Sequence, residues 1–193
     1  MINKIKNILF FLIAIFIFVG CTPVATIPDD WIDHSSNSVK MIDETHAKIH
    51  EGKHCKFEDY RILSSSETKY FLLYTDGKEF HFNYYFSFES GEGEFIIYEN
   101  PTFDNVGILL NNVFNSNRNS NITTVGILYE DPSITNEGTQ LFRMRLGAKR
   151  TSGEISRGDN EIILKNNTYY LIKIVNHITS NNIVNLRFVG YEN

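Results

Sequence analysis

Residues 80–89 read Phe-His-Phe-Asn-Tyr-Tyr-Phe-Ser-Phe-Glu. Phe80, Phe82, Tyr84, Phe86 and Phe88 alternate with His81, Asn83, Tyr85, Ser87 and Glu89. Rings spaced by two residues scatter around a helix but line one face of a strand. The stretch is therefore a strand whose aromatic face enters a core.

Working outward, the same period recurs. Gly91 and Gly93 interrupt it, and Phe95–Glu99 follows as a short strand stopped by Asn100-Pro101. Upstream, Tyr60–Leu63 and Tyr70–Tyr74 are strand candidates. Downstream come Val125–Tyr129, closed by Asp131-Pro132, and Gln140–Leu146, where Phe142, Met144 and Leu146 alternate with Leu141, Arg143 and Arg145. Glu161–Leu164, a turn at Asn166-Asn167, Tyr169–Val175 and Ile183–Tyr191 complete the set, and Asn167-Thr168 suits a hairpin turn between Leu164 and Tyr170. Short strands separated by Gly, Asn and Asp turns predict an all-β, antiparallel domain, a sandwich or a barrel. Only residues 39–50 are ambiguous between helix and strand. Two long connections stand out: 111–121, rich in Asn and Ser, and 147–160, rich in Gly, Lys, Arg and Ser. Loops of that length between strands are frequent sites of function.

Of the 193 residues 42% are hydrophobic, with 15 Phe and 10 Tyr, enough for one core and a tail. The formal net charge of −5 gives no general attraction for nucleic acid, so DNA and RNA binding are not expected.

The N-terminus reads as an address. Lys4 and Lys6 precede an unbroken apolar run from Ile8 to Val19. As a helix that run is about 18 Å long, short of a bilayer core of about 30 Å. It has the form of a signal-peptide core. Gly20-Cys21 after it resembles the lipobox of bacterial lipoproteins, which implies cleavage before Cys21 and lipidation of its thiol. More than one acyl chain on Cys21 would anchor the protein stably to a membrane. The expected organisation is a signal peptide over 1–20, a lipidated cysteine and extended tether over 21–36, and one β-sandwich domain over 37–193. Cys55 is then the remaining cysteine, read as a small buried apolar side chain.

Several constellations bear on chemistry. His46, His50 and His54 recur every four residues. On a helix they would share a face at spacing suited to Zn²⁺ or Cu²⁺; on a strand successive histidines of the run would lie about 13 Å apart, too far for one ion. Gly52 inside the run counts against a continuous helix, so no metal and no cofactor is expected, with these three as the candidate ligands. No nucleophile elbow and no phosphate-binding glycine loop is present, and no enzymatic activity is expected. Lys149, Arg150 and Arg157, with Arg143 and Arg145 before them, make 147–160 locally basic, suited to an acidic surface or glycan. Arg157-Gly158-Asp159 and the sequons at Asn121 and Asn166 are read as chance matches.

Four motifs together carry a resemblance. They are His46-x-x-Ile49-His50-x-Gly52-x-His54; Asn115-Ser116-Asn117-Arg118-Asn119-Ser120-Asn121; Gly153-x-Ile155-Ser156-Arg157 followed by Glu161–Lys165, Asn167, Thr168 and Tyr170; and Tyr191-Glu192. In order and spacing, residues 37–193 resemble structural proteins of tailed-phage virions, of the capsid-decoration or head-fibre type. The resemblance implies a jelly-roll-like sandwich acting as a homo-oligomer without chemistry. The sequence departs from that family at Cys55, where an aromatic is usual, and in its export signal. Keeping both facts gives a surface lipoprotein of the bacterial envelope built on a virion-type domain, binding protein or glycan through Asn117, Arg118, Asn119, Lys149, Arg150 and Arg157. The alternative is a genuine virion protein that retains its leader.

Overall fold

The protein is described from a computed structural model at residues 32–33, 38–39, 44–123, 126–147 and 161–192. The chain divides into two compact units, Met1–Ile42 and Asp43–Asn193. In the first, β1 (Ile32–Asp33) pairs antiparallel with β2 (Ser38–Val39).

The second unit begins with α1 (Glu44–His50) and continues through β3 (His54–Leu63), β4 (Thr68–Thr75), β5 (Phe80–Phe88) and β6 (Gly93–Glu99). Five short strands follow: β7 (Thr102–Asn105), β8 (Ile108–Leu109), β9 (Phe114–Asn115), β10 (Gly126–Glu130) and β11 (Ser133–Asn136). The chain then forms β12 (Thr139–Leu146), β13 (Ile162–Leu164), β14 (Thr168–Asn176) and β15 (Asn182–Glu192). One sheet has the order β13-β5-β15-β3-β9 and the other β12-β6-β14-β4-β10-β8. Every pairing is antiparallel.

The connections make this a jelly roll. The chain passes from one sheet to the other at β3 to β4, β4 to β5 and β5 to β6, and again at β12 to β13, β13 to β14 and β14 to β15. The resulting four-strand runs, β13-β5-β15-β3 facing β12-β6-β14-β4, are two interlocked Greek keys. The segment between β6 and β12 is an insertion that extends both sheets.

The aromatic stripe of β5 does what its spacing predicts. Phe80, Phe82, Tyr84, Phe86 and Phe88 are all buried between the sheets. Phe86 stacks on Phe95 of β6 with ring centroids 4.3 Å apart, and Tyr84 lies 4.9 Å from Phe95. Phe57 and Phe188 continue the layer at 5.6 Å. Offset ring pairs of this kind add to the stabilisation from burial itself. Two glycines bracket the ring of Phe80. A Cβ on Gly126 of β10 would lie 2.8 Å from Phe80 Cζ, and one on Gly190 of β15 would overlap the ring outright. The expected stops at Asn100-Pro101 and Asp131-Pro132 are turns, with Asn100 and Asp131 at positive φ (55° and 57°).

One expectation is corrected. Asn167-Thr168 suggests a tight hairpin between Leu164 and Tyr170. The turn is present, with Asn167 at φ 51°, but it joins β13 of one sheet to β14 of the other. A turn signal fixes the local reversal and says nothing about which sheet receives the next strand.

The outer face of the six-stranded sheet carries a second small core. Leu72, Ile96, Tyr98 and Leu171 are buried there beneath Phe103, Val106 and Ile134. Phe103 and Ile134 belong to the two-stranded ribbon of β7 and β11 and are register partners. That face is therefore covered, while the outer face of the five-stranded sheet keeps Tyr60 and Ile62 each 58% exposed.

Candidate functional site

Two of the motifs singled out in the sequence meet in space. α1 ends at His50, and Gly52 reverses the chain at φ 74°, a left-handed position that glycine occupies without strain. The last turn closes with Gly52 N–H donating to Ile49 O and Lys53 N–H to Lys48 O, both at 3.0 Å. Gly52 is needed for space as well as conformation, because a Cβ there would collide with the Ser120 side chain.

The Asn-rich segment wraps this turn and is stitched to it. Asn115 Nδ2 donates to Gly52 O at 2.5 Å and to Ile122 O at 3.2 Å. Asn117 Nδ2 donates to His50 O at 3.2 Å. The same two side chains accept locally: Asn117 N–H donates to Asn115 Oδ1 and Asn119 N–H to Asn117 Oδ1, at 2.9 and 3.1 Å. These Asx turns replace the repeating hydrogen bonds that a loop lacks. Ser116 bonds His54 twice, through its own N–H to His54 O at 2.9 Å and between Oγ and Nδ1 at 2.6 Å. Part of the expected loop is thus a strand, β9, paired to β3 at Cys55↔Asn115 and Lys56↔Phe114.

Asn115 and Asn117 thus hold the loop, and its neighbours face outward. Arg118 and Asn119 are exposed, with the Arg118 guanidinium 5.8 Å from the Phe114 ring centroid. Phe114 and Ile122 are exposed at 38% and 44%. The result is a small, pre-ordered patch with a guanidinium, an aromatic ring, an aliphatic side chain and an amide. Arg and aromatic side chains are the usual anchors of protein-binding surfaces.

The three histidines do not converge. His46 and His50 lie on α1, while His54 is in β3 against Ser116. Among the described residues no group of three or more His, Cys, Asp or Glu is placed to hold a metal ion. Arg143 and Arg145 lie on β12, where Glu94 and Glu92 neutralise them, each at 2.5 Å. Hydrogen bonding from Arg143 holds the Glu94 carboxyl below its ordinary range. Cys21, Lys149, Arg150 and Arg157 lie outside the described residues. Cys55 is buried, as expected. It borders an apolar cavity of about 20 Å³ beside Phe57, Phe80 and Gly190, room for no more than a water molecule.

One polar cluster went unread in the sequence. His81 occupies the outer side of β5, paired with Tyr191 of β15, and the two rings stack at 4.4 Å. Glu161 accepts from Tyr191 OH at 3.0 Å and from Asn83 Nδ2 at 3.2 Å, and bonds His81 Nδ1 at 2.5 Å. Burial pushes the Glu161 carboxyl up, but the bonds from His81, Tyr191 and Asn83 outweigh it and hold the group below its ordinary value. The signal was available in the period-two pattern, which places His81 and Asn83 together opposite the aromatic face.

Among the described residues no helix is long and apolar enough to cross a membrane. No protein-family model matches the chain, and no curated protein matches it.

Proposed function

We propose that this protein is a non-enzymatic, lipid-anchored β domain displayed at a bacterial cell envelope, descended from a virion-type domain and binding a protein or glycan surface. The observation that carries the anchor is Cys21, placed directly after the apolar run Ile8–Val19 and Gly20. The binding role draws support from the stitched loop, because a surface ordered before it meets its partner loses less entropy on binding. Arg118, Asn119, Phe114 and Ile122 are its outward residues.

Metabolic labelling with palmitate, followed by membrane fractionation, tests the anchor. Wild-type protein takes label and sediments with membranes, and Cys21→Ser does neither. A soluble, unlabelled wild-type product rejects the reading.

The jelly-roll topology favours a second reading, since viral capsid domains use the same fold. In that reading the chain is a virion surface protein that keeps its leader. Mass spectrometry of purified particles separates the two: peptides beginning at Met1 within particles support the virion protein, and absence from particles rejects it.

A further inference from the structure

The two exposed histidines of α1 are aimed at each other. His50 Nε2 lies 3.0 Å from His46 Nε2, and the rings meet edge to face with centroids 4.7 Å apart. In the metal-free protein one Nε2 must carry the proton that the pair shares. Two imidazole nitrogens bound at about 2.0–2.1 Å to one Zn²⁺ or Cu²⁺, at angles between square and tetrahedral, stand about 2.8–3.4 Å apart. The observed separation falls within that range. The pair already holds the bite of a chelate.

From this geometry we infer that His46 and His50 form a two-histidine site for a borderline divalent transition metal, Cu²⁺ most tightly and Zn²⁺ and Ni²⁺ less so. The ion takes the place of the shared proton between the two Nε2 atoms, and that proton moves to Nδ1 of the same ring. Neutral imidazole suits these metals, while Mg²⁺ and Ca²⁺ prefer oxygen. The remaining coordination positions stay open to water or to a donor from a bound partner.

The surroundings make the chelate more than two side chains on a short helix. A seven-residue helix alone frays in water. Here the turn after His50 is fixed by Gly52, and Asn117 Nδ2 holds the carbonyl of His50 itself. The spacing of four residues brings both rings to one side of the helix. The third histidine of the run takes no part: His54 lies in β3, and among the described residues no three metal-ligating side chains are placed around one ion. This inference is independent of the membrane anchor and of any partner.

Titration calorimetry of the detergent-solubilised full chain with CuCl₂, ZnSO₄ and MgCl₂ tests it. One Cu²⁺ binds per chain, Zn²⁺ binds more weakly, and Mg²⁺ gives no heat. His46→Ala and His50→Ala each weaken Cu²⁺ binding about tenfold or more, and the double variant abolishes it. His177→Ala leaves it unchanged. Both α1 histidines are exposed, so their alanine variants keep the fold, and far-UV circular dichroism verifies this. Under Zn²⁺ the Cε1–H resonances of His46 and His50 shift together while that of His54 stays in place. Cu²⁺ binding that survives the double substitution overturns the assignment, as does Zn²⁺ titration that leaves both resonances unmoved.

Discussion

The guanidinium of Arg61 on β3 grips the carboxylate of Glu130 on β10 across the two sheets, with Nε to Oε1 at 2.6 Å and Nη2 to Oε2 at 3.1 Å. Both lie on the core side of their strands, at one margin of the sandwich. Glu130 is register partner to buried Phe71, and Arg61 sits 5.8 Å over the same ring. Lys69 adds a second cation to Glu130 at 2.9 Å, and Asp59 a second anion to Arg61 at 2.7 Å. The residues beside Arg61 also dress the edge of β3. Tyr60 N–H donates to Asp59 Oδ1 and Tyr60 O accepts from Arg61 Nη1, both at 2.8 Å. An edge whose backbone groups are occupied by charged side chains is a poor template for another strand.

Removing one partner of this pair leaves the other partly buried and underbonded. Arg61→Ala is expected to destabilise the fold by about 1–3 kcal/mol, read from the midpoint of urea unfolding. The pair also has a pH signature. Burial raises the Glu130 carboxyl, but hydrogen bonds from Arg61 and Lys69 outweigh it and hold it below the ordinary value of 4.5. A depressed folded-state value contributes stability that is complete above 4.5 and is lost as pH falls through the folded value. Glu130→Gln therefore lowers stability at neutral pH and flattens the acid limb below about 4.5. An acid limb as steep in the variant as in the wild type refutes this.

The glycines around Phe80 give a packing prediction. Gly190→Ala forces the ring of Phe80 to move within a filled core, at an expected loss of about 1–3 kcal/mol. Phe80→Leu alone also destabilises, through the volume it removes. Together they should cost less than the sum of the two, because the smaller side chain makes room for the new methyl. Additive losses in a double-mutant cycle would show that Gly190 is required for another reason.

The Glu161 cluster gives a spectroscopic one. His81→Gln removes the shortest bond to the Glu161 carboxylate and leaves those from Tyr191 and Asn83. The Glu161 carboxyl should then titrate higher than in the wild type, followed by its side-chain ¹³C shift against pH. An unmoved titration would mean that Tyr191 and Asn83 alone set its value.

How far the sequence reveals all this depends on how local each signal is. The stripe Phe80–Phe88 spans nine residues, enough to fix a period of two, and the strand observed has the same bounds. The alternation of Phe142, Met144 and Leu146 likewise places those three against the core. The strands β7, β8, β9 and β11 have two to four residues each and no period to read. They are defined by what they pair with, far along the chain. For the same reason the histidine run and the Asn-rich segment are visible separately, while the bonds from Asn115 and Asn117 to Gly52 and His50 are not. His81 and Glu161 are 80 residues apart, and only the folded sheet makes them neighbours.

The stitching itself can be tested apart from any partner. Asn117→Ala removes the bond to His50 O and the acceptor for Asn119 N–H, and leaves the exposed Arg118 chemically unchanged. Lost hydrogen bonds of this kind cost about 0.5–1.5 kcal/mol each, and here the loss is local because the loop lies outside the core. The amide of Asn119 should exchange with solvent hydrogen about tenfold faster or more, while amides of β5 and β15 keep their protection. Protease cleavage within 116–122 should rise in step. If Asn119 exchange is unchanged, the loop is held by Asn115 and Ser116 alone. The order that places Arg118 beside Phe114 then has its origin in the pairing of β9 with β3.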